Sequence, residues 1–160
     1  MKFYIKRHIK LSYLLATGFG IGFIKWFPGT LGSILIIPLW WIISLFSWYI
    51  YFLTILVGWI YGIYICNVTE QHLGLQHDHS SIVWDEFIGI GITFISLTNY
   101  KWQFLIIGFL IFRFFDILKP WPISWVNNHI YGGLGVMLDD LIAGLISTLC
   151  LYKICHFFSN

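Results

Sequence analysis

Apolar residues in this chain fall into long, nearly uninterrupted runs. Leu31–Phe46 and Trp48–Cys66 carry no charge and are separated by little more than Ser47. Phe87–Leu97 is shorter and reaches helix length when Ile82–Trp84 join it. Trp102–Phe112 runs on toward Leu118, with Arg113 and Asp116 in its last turns. Leu141–Tyr152, starting near Val136, closes the chain. Thr98–Lys101 reads as a tight turn between the third and fourth runs. The runs lack the sustained period-2 alternation that a membrane β-barrel needs. The pattern predicts an all-α integral membrane bundle of about four or five hydrophobic helices, in one domain over residues 1–160 with a basic N-terminal segment at 1–13. A full span takes about 20 residues, so several runs are short and read as tilted, interfacial or partly re-entrant. Pro38 is placed to kink the first.

Composition strengthens that picture. AVILMFWYC residues make up 59% of the 160 and charged residues only 10%. A soluble domain of this size carries about 25% charge. Disorder is excluded, because it needs low hydrophobicity and high charge. Nine Trp and nine Tyr suit the boundary between lipid and water. A net charge of +2 offers no broad cationic field, so nucleic acid is not an expected partner. Cys66, Cys150 and Cys155 lack metal-ligand spacing and read as buried small hydrophobes. Lys2, Lys6, Arg7 and Lys10 resemble a signal-peptide n-region, but the apolar stretch after them, Leu11–Leu15, is too short for an h-region. Five crossings would put those four residues with Lys25, Arg113 and Lys119 on one side, against Lys101 and Lys153 on the other. The positive-inside rule then places the N-terminus and the long loops in the cytoplasm.

The acids are concentrated. All seven lie between positions 70 and 140: Glu70, Asp78, Asp85, Glu86, Asp116, Asp139 and Asp140. Asp85 and Glu86 open the third run, Asp116 lies near the end of the fourth, and Asp139 and Asp140 open the fifth. If the third and fourth runs form a hairpin, these five carboxylates meet at one depth on one side. Ionised carboxylates near hydrocarbon are costly unless paired or metal-bound, and close like charges raise one another's pKa. A divalent cation removes both penalties, and Mg²⁺ prefers one or two carboxylates with waters and phosphate oxygens. The alternative is an Arg113–Asp116 pair one turn apart, with the remaining acids at solvated helix ends.

Other polar residues join that side. Pro28–Ser33, with Thr30 and Ser33, combines close backbone approach with hydroxyls at a helix start, which suits an anionic group; Pro-Gly also simply makes turns. Lys119, before Pro120, is pushed out of helical geometry and reads either as a phosphate partner or as a lysine on an acidic lipid surface. Gly132-Gly133-Leu134-Gly135 resembles a phosphate cradle, but no strand precedes it, so no Rossmann or P-loop reading holds. His77, Asp78 and His79 precede Asp85; His79 is the one nearest the carboxylates and a candidate acid–base group.

Taken together these motifs resemble the bacterial phosphatidylglycerophosphatase A family. The resemblance runs over residues 14–145: Ala16–Gly20, Pro28–Ser33, His77–Gly89 (HDHSSIVWDEFIG), Phe112–Pro122 (FRFFDILKPWP) and Gly132–Gly144 (GGLGVMLDDLIAG). Ser81 stands where the family usually has Gly. The resemblance implies an all-α, Mg²⁺-dependent phosphatase of the bacterial inner membrane. It would convert phosphatidylglycerophosphate to phosphatidylglycerol, with its site facing the cytoplasm. On that reading Asp85, Glu86, Asp116, Asp139 and Asp140 hold Mg²⁺, with Asp85, Asp116 and Asp139 catalytic. Lys119 and Arg113 balance the phosphoryl charge, while His79 protonates the leaving glycerol oxygen. The attacking group is either water or one of the aspartates.

Other classes fit less well. No Cys is followed six residues on by Arg, and no Asp-x-Asp occurs, which removes two phosphatase chemistries. The Asp-Gly-x-x-Ala-Arg stretch of CDP-alcohol phosphotransferases is missing. A cation transporter or channel would place acids at mid-depth and on both sides, whereas here they gather at helix ends. A non-catalytic scaffold is the remaining option.

Overall fold

The computed structural model describes residues 11–73, 80–97 and 101–159. Among them the regular structure is entirely helical. Residues 11–16 are helical (α1). A short 3₁₀ turn, Ile21–Phe23, leads to α2 (Pro28–Ser44), α3 (Trp48–Leu73), α4 (Trp84–Phe94), α5 (Trp102–Leu118), α6 (Ile123–His129) and α7 (Gly132–Ser159). The four long apolar runs expected outside α4 are therefore helices, with α3 and α7 extending beyond the expected bounds. The seven-residue α6, between Pro122 and Gly132, was not foreseen.

Segments 48–71 and 132–158 are long and apolar enough to cross a membrane. Many large apolar side chains stay exposed on α2, α3 and α5, among them Leu35, Leu39, Leu53, Val57, Ile106 and Leu110. Contiguous apolar surface of that kind does not suit a water-facing monomer. At one end Trp26, Trp121, Trp125 and Tyr131 are exposed; at the other, Trp41, Trp48, Tyr49 and Trp102. These rings sit where aromatic belts would be expected.

α7 is the central element, packed against α3, α4, α5 and α6. α4 is the most enclosed. Asp85 and every residue from Phe87 to Phe94 are buried. Its 11 residues rise only about 16 Å, too little to cross a hydrocarbon core of about 30 Å. Of the expected extension through Ile82–Trp84, Trp84 joins the helix, but Ile82 and Val83 do not, because Val83, with φ −134° and ψ 0°, caps the helix.

A helix that ends inside a bundle leaves its last carbonyls without intrahelical partners. Here neighbours supply them. Tyr51 Oη donates to the Gly91 carbonyl at 2.7 Å. Thr148 Oγ1 lies 2.7 Å from the Ile92 carbonyl and 2.8 Å from that of Gly144 in its own helix, sharing its single hydrogen between them. Higher up, Trp40 Nε1 donates to the Phe87 carbonyl at 2.7 Å. Glycines let the neighbours come this close: a Cβ on Gly91 would collide with the Trp40 ring, and one on Gly89 with Phe112. At the other end, the Ala16–Gly22 stretch folds against the segment leading into α4. Val83 N–H donates to the Ala16 carbonyl at 2.9 Å. Gly18 adopts the left-handed φ of 56°, and a Cβ there would meet Val83 and Phe87.

Candidate functional site

The starts of α2, α4 and α7 meet the last turns of α3 and α5 at one end of the bundle. α4 and α5 form the expected hairpin, since Arg113 Nη1 near the end of α5 lies 2.9 Å from Glu86 Oε1 at the start of α4. The same nitrogen reaches Asp116 Oδ2 at 2.6 Å. Arg113 therefore bridges two acids. The i,i+3 pair read from the sequence is present, but it is half of a larger arrangement. These side chains are only 12–13% exposed, so the pairing is what makes their burial tolerable.

Lys119 supplies the second bridge. It caps α5 with left-handed backbone, φ 41° and ψ 55°, leaving helical geometry as expected before proline but in the left-handed direction. Its Nζ lies 2.5 Å from Asp139 Oδ2. The lysine read as partner to phosphate or an acidic lipid surface is thus held by a protein carboxylate. Asp139 itself is 1% exposed, and its Oδ1 accepts from the Asp140 N–H at 2.9 Å.

Asp85 and Asp140 are buried as well. Asp140 lies within electrostatic reach of Asp116, Asp85, Asp139 and Glu86, so all five expected carboxylates share one region. Glu70, near the end of α3, joins them. It is buried and, together with Asp85, Asp139 and Asp140, acts electrostatically on Cys66. Sequence reading left Glu70 out because it sits in no motif; its position among the clustered acids of positions 70–140 was the available signal. Cys66 is buried, but Cys150 and Cys155 are only half-buried, which corrects the reading of all three as core residues.

The Pro28–Ser33 stretch does receive an anion, and that anion is the protein's own. Ser33 Oγ lies 3.0 Å from Glu86 Oε2 and 2.8 Å from the Gly29 carbonyl. Its single hydrogen can serve only one of these acceptors at a time. A Cβ on Gly29 would collide with the Glu86 carboxylate. Ser33 is fully buried and so positions Glu86; Thr30 is half-buried on the same turn. The Gly132-Gly133 pair has a packing role too. Gly132 takes φ 73°, and a Cβ on Gly133 would strike the Ile63 carbonyl and Asn67 of α3. His77, Asp78 and His79 lie outside the described residues.

The donor set suits a hard cation. It consists of carboxylate oxygens, and Asp140 Oδ2 is buried without a hydrogen-bond partner. Among the described residues no three His, Cys, Asp or Glu side chains stand close enough together to hold an ion unaided. Mg²⁺ asks for less: one or two carboxylates, with waters and phosphate oxygens completing the shell. The residues fit that mode of binding.

Fold and site together define an α-helical protein, with two helices long and apolar enough to cross a membrane, that gathers buried acids and two basic side chains at one end of its bundle. A family model described as Phosphatidylglycerophosphatase A matches residues 14–155, and the chain belongs to that family. It is 46% identical over 154 residues to phosphatidylglycerophosphatase A of Escherichia coli K12, covering 94% of this chain and 89% of the relative. The Haemophilus influenzae protein of the same name is 39% identical over 143 residues, covering 89% and 87%. A Bacteroides thetaiotaomicron protein, whose name provisionally gives it phosphatidylinositol-3-phosphatase activity, is 36% identical over 153 residues, covering 89% and 92%. No solved structure matches the chain.

Proposed function

We propose that this chain hydrolyses the terminal phosphomonoester of phosphatidylglycerophosphate, releasing phosphate and phosphatidylglycerol, with Mg²⁺, as a multi-pass inner-membrane enzyme whose site faces the cytoplasm. One observation carries the reading: the matched family segment, residues 14–155, contains every acid and base gathered at the site end. The aromatic rings at both ends and the apolar outer faces of α2, α3 and α5 support the membrane bundle. The cationic side chains assigned to the site end support its cytoplasmic orientation.

One or two of Asp85, Glu86, Asp116, Asp139 and Asp140 would hold Mg²⁺, with water and phosphate oxygens completing its shell; when bound it would supply charge neutralisation and Lewis-acid polarisation at the phosphoryl oxygens. The protein's own groups do the rest. Arg113 and Lys119 each sit beside a carboxylate, within reach of any phosphate that enters among those acids. Both can then donate to the equatorial oxygens, where charge accumulates during transfer. Ser33 and Gly29 keep Glu86 turned inward, and the tethered carbonyls of α4 fix the height of Asp85. The departing glycerol oxygen takes a proton, for which His79 is the proposed donor.

Substitution tests the assignments. Asp85→Asn, Asp116→Asn and Asp139→Asn are each expected to lower phosphate release from phosphatidylglycerophosphate by about 100-fold, the usual size of a lost ligand or close support. Near-wild-type turnover in any one removes that residue from the site.

A further inference from the structure

A groove of about 640 Å³ lies between α2, α3 and α4. Trp84, Phe87, Leu39, Trp40, Leu53 and Val57 are among its walls. Asp85 and Glu86 lie between Trp84 and Phe87 on the first turn of α4, so the upper end of the groove lies within one helical turn of the carboxylate cluster, although no carboxylate lines it. From there it descends along α2 and α3 toward the opposite end of the bundle. Its lining is almost wholly apolar. The hydroxyl of Thr54, which also lines it, donates to the Ile50 carbonyl of its own helix at 2.8 Å. Leu39, Leu53 and Val57 are each about half exposed, so the groove opens sideways, on the surface that would face hydrocarbon. Gly58 gives it depth, because a Cβ there would meet Ile88 Cδ1 at 2.7 Å.

We infer that this groove seats an acyl chain of the lipid substrate, drawing it from the bilayer and fixing the headgroup phosphate against the Asp85–Glu86 end. The inference rests on the lipid-phosphatase reading above and adds where the substrate is held. Three observations select an acyl chain as occupant: the groove ends within one helical turn of Asp85 and Glu86 and opens on the apolar outer face, it runs along the helices as lipid tails do, and its volume falls in the range of small-molecule sites, about 300–1,000 Å³. A wall so nearly apolar recognises a hydrocarbon chain chiefly by burial.

The test uses the full chain in nanodiscs with a phosphatidylglycerol carrying a photoactivatable diazirine in one acyl chain. After irradiation, peptides from α2 and α3 that line the groove should carry at least ~5 times the label of the lipid-facing surface of α5 around Ile106 and Leu110. Excess unlabelled phosphatidylglycerophosphate should suppress the groove label alone. Equal labelling of the two surfaces would overturn the inference, as would a groove that stays unlabelled because the chain's own N-terminal residues or a second copy fill it. Kinetics give an independent arm. Val57→Trp and Leu39→Trp enlarge lipid-facing side chains into the groove, and each should cost at least ~10-fold more kcat/KM on a long-chain substrate than on its dihexanoyl analogue. A uniform loss on both, or none on either, would count against the groove. If the groove is labelled but no phosphate is released from any lipid, the activity reading fails and the acyl site stands.

Discussion

Arg113 does the electrostatic work that the clustered acids demand, because one guanidinium nitrogen lies within 2.6–2.9 Å of two mostly buried carboxylates. Removing it should be more harmful than removing either acid. Arg113→Met leaves Glu86 and Asp116 buried without their cation, a change that costs about 3–5 kcal/mol when a buried pair is broken. The thermal midpoint in detergent should fall accordingly. Adding Glu86→Gln to that variant should restore part of the loss, read as a coupling free energy in a double-mutant cycle. Additive losses would mean that the pair is not energetically joined. Gly29→Ala tests placement rather than charge. Its Cβ would displace the Glu86 carboxylate, and misplacement by about 1 Å can cost about 100-fold in rate. Phosphate release should fall by that order, with a smaller drop in thermal midpoint than for Arg113→Met. At this scale the sequence was a partial guide. It supplied the residue types and the Arg113–Asp116 spacing, but Glu86–Arg113 and Lys119–Asp139 join different helices. No spacing rule reaches across such gaps.

Among the elements, α4 separates what pattern reveals from what packing decides. Its apolar stretch was visible, and so was the pair of acids at its start. Its brevity was not, because Ile82 and Val83 look as helical as their neighbours until Val83 N–H is seen bound to the Ala16 carbonyl. α6 stayed hidden for a different reason: Pro120 and Pro122 read as a stop, and a seven-residue helix that buries only Ile123 and Val126 leaves little periodicity. α2, α3, α5 and α7 were legible because long uncharged runs have few alternatives to helix. The carbonyls of α4 are met by side chains from three neighbouring helices, two at its interior end and one, from Trp40, near its start. Trp40→Phe deletes the indole N–H that serves the Phe87 carbonyl and should destabilise the fold by about 1 kcal/mol. Gly91→Val puts a branched side chain into the Trp40 ring, where overpacking costs about 1–3 kcal/mol. If both variants melt like the wild type, α4 is not held in place by these contacts.

For the whole molecule, the spatial expectation that mattered most came from the order of acids along the chain. Start, end and start of three successive apolar runs must share a side when the first two form a hairpin, and the observed ion pairs put them together. The described portion of that cluster was therefore legible, as was the Arg113–Asp116 pair; the pairing of Arg113 with Glu86 and of Lys119 with Asp139, and Glu86 as the guest of the Pro28–Ser33 turn, were not. Orientation follows from the same layout. An impermeant thiol reagent applied outside spheroplasts should label Lys101→Cys and spare Trp121→Cys, in a background where the native cysteines are replaced; the reverse pattern would invert the protein. The most direct measurement is phosphate release from phosphatidylglycerophosphate by the purified full chain, with Mg²⁺ and then with EDTA in excess. Release that requires the metal and disappears in Asp139→Asn is the expected result. Release that is indifferent to both, or no release from intact, folded protein, would contradict the carboxylate cluster as the seat of a metal-assisted lipid phosphatase.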